Sequence, residues 1–174
     1  MRTIFLILYY WLATHLPGSY SPFGGRVWNR FRIFCVRHIF KKCGKISTVD
    51  RKAYFGSGAG IEIGDYSGIG NSCRLPNDVK IGSHVMMAPG VTVINTNHEF
   101  SRTDIPMCFQ GDAVKAPVEI GDDVWLGTNA IILPGVTISR GTIVGAGSVV
   151  TKDFPEYSVI GGNPARLIRS RLQS

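Results

Sequence analysis

The chain has 174 residues, which is the size of one domain with its own core, and 44% of them are hydrophobic, as in ordinary globular proteins. The net charge of +7 is uneven, because residues 1–52 hold ten Lys or Arg against one acid while the rest hold nine against eleven. The four cysteines form no CxxC pair and no His/Cys cluster, which argues against a metal site or a disulfide framework and favours reduced thiols in a cytoplasmic protein. The basic front indicates an anionic partner such as a membrane surface, a phosphate-bearing lipid or nucleic acid.

The chain opens with the apolar run TIFLILYYWLATHL at residues 3–16. It is too short to span a bilayer, which takes roughly 20 residues, so we expect no transmembrane helix. A signal peptide is disfavoured, since only Arg2 precedes the run and no small residues mark a cleavage site after it. A turn-rich connector follows, and a second helix is predicted from Arg26 to Cys43, ending at Gly44.

The second helix is predicted to be amphipathic and basic. Its apolar face holds Val27, Phe31, Phe34 and Cys35, and its basic face holds Arg26, Arg30, Arg37 and Lys41. Two interpretations stay open: the arm of residues 1–52 docks on an anionic membrane or lipid-linked substrate, or it caps the body and its arginines are merely solvated. Binding of nucleic acid is disfavoured because the arm lacks a recognised motif.

A period of six residues runs through the body. Every sixth residue is aliphatic in two series: Ile63, Ile69, Leu75, Ile81, Met87 and Val93, then Ile120, Leu126, Ile132, Ile138, Val144 and Val150. The residues four positions further on are small or aliphatic: Ser67, Cys73, Val79, Val85, Val91, Val124, Ala130, Val136, Thr142 and Ser148, with Phe154 as the exception. Six is not a helical period, so we predict short strands joined by tight turns in a parallel β-helix.

The period breaks between Val93 and Ile120, whose spacing is not a multiple of six. Residues 95–116 are too polar for an interior and too long for a turn, and a long loop on a rigid scaffold is usually functional. We therefore expect an extruded loop that contains His98, Glu99, Asp104 and Asp112. The other histidines, His15, His38 and His84, are interpreted as structural.

The segments IGSHVMMAPGVTVINTNHEF, IGDDVWLGTNAIILPGVTI, GAGSVVTKD and GGNPARLIR occur in this order. Over about residues 60–171 the chain resembles the hexapeptide-repeat acyltransferases, in the branch of galactoside, maltose and polysaccharide O-acetyltransferases. The resemblance implies a left-handed parallel β-helix with 18 residues per coil, so that Ile63 stacks on Ile81, Ile69 on Met87 and Leu75 on Val93. It also implies a homotrimer whose active sites are shared between neighbouring subunits. We divide the chain into an arm (1–52), a catalytic β-helix (53–162) and a short C-terminal helix (163–174).

The resemblance also assigns site residues. His98 is expected to be the general base, since a neutral imidazole, with an ordinary pKa of about 6.5, can take a proton from a hydroxyl at neutral pH. Glu99, Asp104 or a backbone carbonyl is expected to orient it. Asn71 would stabilise the oxyanion or merely close a turn.

Acetyl-CoA is the implied donor. The residues expected to bind it are Thr128, Ala146, Thr151, Lys152, Arg166 and Arg169. Pro164 would begin a helix that favours the CoA phosphates together with the two arginines. Trp125 and Asn97 are assigned to the sugar, with Trp125 alternatively covering the base of the loop. No metal is expected.

These features predict an acetyl-CoA-dependent O-acetyltransferase that acts on a sugar hydroxyl in surface polysaccharide or oligosaccharide synthesis. It would be cytoplasmic, with possible attachment to the inner face of the membrane. Free sugars, xenobiotics, amino sugars and serine remain alternative acceptors, because the same base serves any nucleophile. A β-helix carbonic anhydrase would need three histidine ligands, and the body offers His84 and His98 alone. A non-enzymatic scaffold would fit the repeats but not His98 and the GAGSVVTKD segment.

Overall fold

The computed structural model describes residues 1–172 and begins with two helices that cover one end of a β-solenoid. Helix α1 is Arg2–Trp11, a short 3-10 helix is Ala13–His15, and helix α2 is Gly25–Ile39. We call residues 1–40 the helical cap. Tyr9 is fully buried, and its hydroxyl donates to the Ala53 carbonyl at 3.0 Å, so the cap is fixed to the first coil.

Short parallel strands form the three faces of the solenoid. The strands are β1 Lys42–Cys43, β2 Thr48–Val49, β3 Glu62–Ile63, β4 Gly68–Ile69, β5 Lys80–Ile81, β6 Met86–Met87, β7 Thr92–Val93, β8 Glu119–Ile120, β9 Trp125–Leu126, β10 Ile131–Ile132, β11 Thr137–Ile138, β12 Ile143–Val144, β13 Val149–Val150, β14 Ser158–Gly162 and β15 Ala165–Ser170. The sheets have the orders β1-β3-β5-β8-β11, β2-β4-β6-β9-β12-β14-β15 and β7-β10-β13. All pairs are parallel except β14 with β15.

The six-residue period is confirmed as the pattern of the core. All twelve aliphatic residues of the two series are buried, and so are the ten residues of the second register. The predicted stacking is also confirmed, because Ile63 pairs with Ile81 across β3 and β5. Each repeat thus removes apolar side chains from water, and full burial of one aliphatic side chain stabilises the fold by about 1.5–3 kcal/mol.

The loop at residues 95–116, which we call the His98 loop, leaves the solenoid without disturbing it. Lys80 and Glu119 are 39 positions apart, yet they are partners on adjacent strands, and Ile81 pairs with Ile120. The amide of Ala116 donates to the Asn95 carbonyl at 2.8 Å, which closes the base of the loop. A short 3-10 helix, Met107–Phe109, lies near its tip.

The second helix differs from its prediction in two ways. It ends at Ile39, and Lys42–Cys43 instead form β1, because the backbone there pairs with β3. Its buried face matches the prediction only in part. Cys35 is fully buried as predicted, whereas Val27 and Phe34 are at least half exposed. Arg32, which was not assigned to that face, is fully buried. The hydrophobic pattern did not predict the burial of Arg32, which is possible because its guanidinium donates hydrogen bonds to backbone carbonyls.

The predicted C-terminal helix is wrong for the described residues. Residues 165–170 form β15, which folds back antiparallel on β14 through a turn at Asn163 and Pro164, while residues 173–174 lie outside the described part. The free edge of β14 offers backbone donors and acceptors, and pairing with β15 satisfies them. A helix would have left that edge open.

Candidate active site

His98 lies on an exposed antiparallel ribbon within the His98 loop. Its side chain is 86% exposed, and its Nδ1 lies 3.0 Å from Oδ1 of Asp112 on the opposite side of the ribbon. A backbone bond from the Glu99 amide to the Gly111 carbonyl, 2.9 Å long, holds the two strands in register. A carboxylate 3.0 Å from Nδ1 favours the neutral tautomer that carries its proton on Nδ1, which leaves the lone pair of the ring on Nε2.

The expected orienting residues, Glu99 and Asp104, do not contact the imidazole. Oε1 of Glu99 accepts the amides of Phe100 and Ser101, each at 2.9 Å, and these bonds lower the pKa of the Glu99 carboxyl. Asp104 pairs with Arg102, which lowers the pKa of Asp104. The sequence analysis placed Asp112 in the loop but did not select it as the partner of His98. The glycine before it, Gly111, adopts a positive φ of 83°.

His98 faces an open cavity of about 570 Å³ that is also lined by Met107, Cys108, Gly111 and Asp112. Asn71 belongs to a different space. It lies in a turn after β4 and lines a groove of about 340 Å³ together with Met86, Met87 and Pro89. Its side-chain oxygen accepts from the Ser72 hydroxyl at 2.6 Å. Within one chain, the two residues therefore line separate cavities.

The residues expected to bind the donor lie at two corners of the C-terminal coils. Thr128 and Ala146 lie in turns that stack on each other at one corner of the solenoid. The Gly147 amide donates to the Thr128 carbonyl there at 2.8 Å. A Cβ on Gly127 would lie 2.6 Å from the Ala146 nitrogen, so glycine permits this close approach of the turns. Thr151 and Lys152 follow β13 at the next corner, with Lys152 Nζ 5.7 Å from the Phe154 ring.

Arg166 and Arg169 are exposed on β15. The helix that was expected to favour the CoA phosphates is not formed, so only their positive charge supports that role. Trp125 is 48% exposed on β9, with Met86 and Ile143 as its neighbours on the paired strands. The side chain of Asn97 is exposed on the His98 loop.

Two further features of residues 1–172 bear on the chemistry. No group of three or more His, Cys, Asp or Glu in this part of the chain is arranged to hold a metal ion. Neither helix described here has the length and apolar content to cross a membrane.

Comparison with known proteins identifies the class. The family model for the bacterial transferase hexapeptide (six repeats) matches residues 117–152. Galactoside O-acetyltransferase of Escherichia coli is 35% identical over 136 residues, which is 77% of this chain and 66% of the relative, so the chain spans just under two thirds of that protein. The putative colanic acid biosynthesis acetyltransferase WcaF of Escherichia coli is 30% identical over 168 residues, covering 95% of this chain and 87% of WcaF.

The fold agrees with these relatives. The solved structure of galactoside acetyltransferase in complex with coenzyme A superposes with a TM-score of 0.69 and 26% identity, covering 97% of this chain and 80% of the other. The chain therefore belongs to the hexapeptide-repeat acetyltransferases, and its solenoid is the left-handed parallel β-helix of that family.

Proposed function

We propose that the protein transfers an acetyl group from acetyl-CoA to a sugar hydroxyl, in the synthesis of a surface polysaccharide or oligosaccharide. The observation that carries the proposal is the His98–Asp112 pair on the extruded loop, at 3.0 Å. The sugar class is supported by the names of the galactoside and colanic acid relatives. We place the reaction on the cytoplasmic side, where acetyl-CoA is made.

In the reaction, Nε2 of His98 takes the proton of the acceptor hydroxyl as its oxygen attacks the thioester carbonyl. Asp112 holds the ring in the required tautomer and stabilises the imidazolium that forms. When the carbon–sulfur bond breaks, the imidazolium returns the proton to the sulfur of CoA. The products are the O-acetylated sugar and free CoA thiol, and the base is regenerated.

The donor is assigned to the C-terminal coils. Thr128 and Ala146 present exposed turns whose glycine neighbours leave backbone accessible to a narrow pantetheine chain. Thr151 and Lys152 lie at the next corner, and Arg166 and Arg169 supply charge for phosphates. For the acceptor, Trp125 offers an exposed ring for stacking on a sugar, Asn97 offers an amide beside His98, and Asn71 is assigned to the oxyanion.

We further propose that the active enzyme is a homotrimer in which the His98 loop packs on a neighbouring subunit. The support is the apolar surface of the loop, where Phe100, Met107, Phe109 and Val114 are all more than 60% exposed. Side chains of this kind on one exposed loop indicate a protein interface. Packing against a neighbour would also surround His98, whose own chain leaves it open to water.

Membrane contact is proposed for the outer face of the helical cap. Ile4, Ile7 and Trp11 are exposed along one side of α1, at 67%, 57% and 85%. Helix α2 lies beside α1, with the Phe5 and His38 rings stacked at 4.1 Å, and exposes Arg37. An apolar stripe next to exposed cations is complementary to an anionic lipid surface, so the cap would both close the solenoid and dock on lipid.

The chemical test is identification of the product. The protein is incubated with acetyl-CoA and a panel of neutral oligosaccharides, free monosaccharides, amino sugars, serine and a xenobiotic alcohol. We expect an acetyl group on an oligosaccharide that mild alkali removes, because esters hydrolyse under conditions that leave amides intact. An alkali-stable acetyl group on an amino sugar, or faster turnover of serine or the xenobiotic, would contradict the proposal.

A further inference from the structure

An open cavity of about 590 Å³ lies between the N-terminal half of α2, the connector before it and the first coil. Arg26 and Arg30 line it from the helix, and Ser21, Ser47 and Thr48 line it from the other two segments. It is far along the chain from the C-terminal coils to which the donor is assigned. The function proposed above gives this cavity no role.

The charge of the cavity is uncompensated. Arg26 and Arg30 are one helical turn apart, so their like charges repel each other. Neither guanidinium forms an ion pair with any acid among residues 1–172. Asp50, the acid of the first coil, is already bound by the amides of Ser19 and Arg51, at 2.8 and 2.7 Å. Two cations surrounded by hydroxyl groups form a site for an anion.

The cavity adjoins the groove that contains Asn71. Tyr20, Ser47 and Thr48 line both spaces. From these shared residues the groove follows the outer surface of the solenoid past Gly68 and Met86 to Asn71. A ligand held by its anionic end in the cavity could therefore extend its other end toward a residue that we assign to the acetyl-transfer site.

We propose that the arginine cavity, defined by Arg26, Arg30, Ser21, Ser47 and Thr48, binds the diphosphate of a glycosyl diphosphate acceptor. The guanidinium groups bind the phosphate oxygens, and the sugar lies in the groove toward Asn71. The inference rests on the function proposed above and specifies its substrate class. The diphosphate is shared by two sources, a lipid-linked saccharide and a nucleotide-linked sugar.

Binding of inorganic pyrophosphate to the full chain, measured by isothermal titration calorimetry, tests the cavity directly. We expect the double variant Arg26→Gln/Arg30→Gln to bind at least about tenfold more weakly than wild type, because two charge-assisted interactions are lost. Arg37→Gln removes an exposed arginine of the same helix outside the cavity and should bind within about twofold of wild type. Equal binding by the double variant and wild type, or no binding by wild type, would overturn the proposal.

Folding of the variants is checked by thermal unfolding. If the double variant is unfolded, the single variants Arg26→Gln and Arg30→Gln replace it, and each should weaken binding by about threefold or more. Single variants that bind like wild type would again overturn the proposal.

A kinetic experiment tests whether the cavity binds the acceptor. We expect the double variant to raise KM for a glycosyl diphosphate by about tenfold or more, while KM for acetyl-CoA and for the corresponding free sugar stays unchanged. Comparison of polyprenyl-linked and nucleotide-linked forms identifies the source, and use of either one supports the proposal. A rise in KM for acetyl-CoA instead would place the donor in the cavity and refute it.

The two proposals fail in different ways. If wild type transfers no acetyl group to any sugar, while its pyrophosphate binding still depends on Arg26 and Arg30, the proposed function is refuted but the anion site stands. If the protein acetylates free sugars, but wild type and the double variant have the same KM for glycosyl diphosphates, only the proposed role of the arginine cavity is refuted.

Discussion

At the scale of residues, the proposed chemistry rests on two side chains on opposite strands of one ribbon, His98 and Asp112, whose Nδ1 and Oδ1 atoms lie 3.0 Å apart. The position of His98 on an extruded loop could be predicted from sequence, because it falls where the six-residue period stops. Asp112 could not be selected as its partner, because the pairing depends on how the loop turns back. Glu99, the adjacent carboxylate, instead binds backbone amides of its own strand.

Substitution of Asp112 tests this pairing. Asp112→Asn should lower kcat by about tenfold or more, since the amide can donate to Nδ1 and so disfavour the tautomer that leaves Nε2 unprotonated. Asp104→Asn removes a carboxylate of the same loop that pairs with Arg102, and should keep kcat within about twofold. Both are measured as steady-state acetyl transfer. Equal losses in the two variants would show that Asp112 has no special role.

Arg32 is a second residue whose importance becomes visible only in the folded chain. It is fully buried, and its guanidinium donates to the carbonyls of Val49 at 2.6 Å, Pro17 at 3.0 Å and Ala13 at 3.3 Å. Burial lowers the pKa of Arg32, while the nearby Asp50 carboxylate acts in the opposite direction. The side chain thereby links the helical cap to the first coil.

Arg32→Met should lower the free energy of unfolding by about 3 kcal/mol or more, because three backbone carbonyls, two of them in buried hydrogen bonds, lose their donor. The exposed Arg37→Met should change it by less than about 0.5 kcal/mol. Urea unfolding followed by circular dichroism measures both values. A loss below about 1 kcal/mol for Arg32→Met would show that the linkage contributes little.

At the scale of elements, the repeats could be predicted and the two ends could not. The strands follow from the aliphatic period, since Ile63, Ile81 and Ile120 each face the same interior column. The end of α2 at Ile39 is set by pairing of Lys42 with Glu62, a contact between distant parts of the chain. The Asn163-Pro164 pair indicates a helix start by local preference, but the free edge of β14 favours a strand.

Helix α1 supports a prediction of its own. The double variant Ile7→Gln/Trp11→Gln should reduce co-sedimentation with anionic vesicles by about fivefold or more, because it removes exposed apolar surface while leaving the buried Tyr9 face intact. Val114→Gln, which changes an exposed apolar residue on the His98 loop, serves as the control. Vesicle binding that is unchanged in the double variant would leave the cap with a structural role alone.

At the scale of the whole molecule, charge and apolar surface are separated along the solenoid. The basic helical cap lies at one end, while the exposed apolar side chains of the His98 loop project from the body. The family resemblance supplied the expectation of a trimer, and repeat spacing could not have done so. The proposed assembly depends on side chains such as Phe109 and Val114, which are 78% and 93% exposed on the His98 loop.

The trimer predicts a mass in solution of three times the 19.0 kDa chain, measured by light scattering after size-exclusion chromatography. Phe109→Asp/Val114→Asp should shift the protein toward the monomer, since it places charges in the proposed interface. The variant Ile7→Gln/Trp11→Gln changes the cap instead and should remain trimeric. A wild-type protein that elutes as a monomer at all concentrations would contradict the shared site.

The most direct test of the central claim is the release of CoA thiol from acetyl-CoA, with and without oligosaccharide acceptors, by wild type and by His98→Ala. We predict release that depends on the acceptor and falls by about 100-fold or more in the variant, while the mass of the variant in solution stays that of wild type. Acceptor-dependent release that persists at the wild-type rate in His98→Ala would contradict the assignment of His98 as the base.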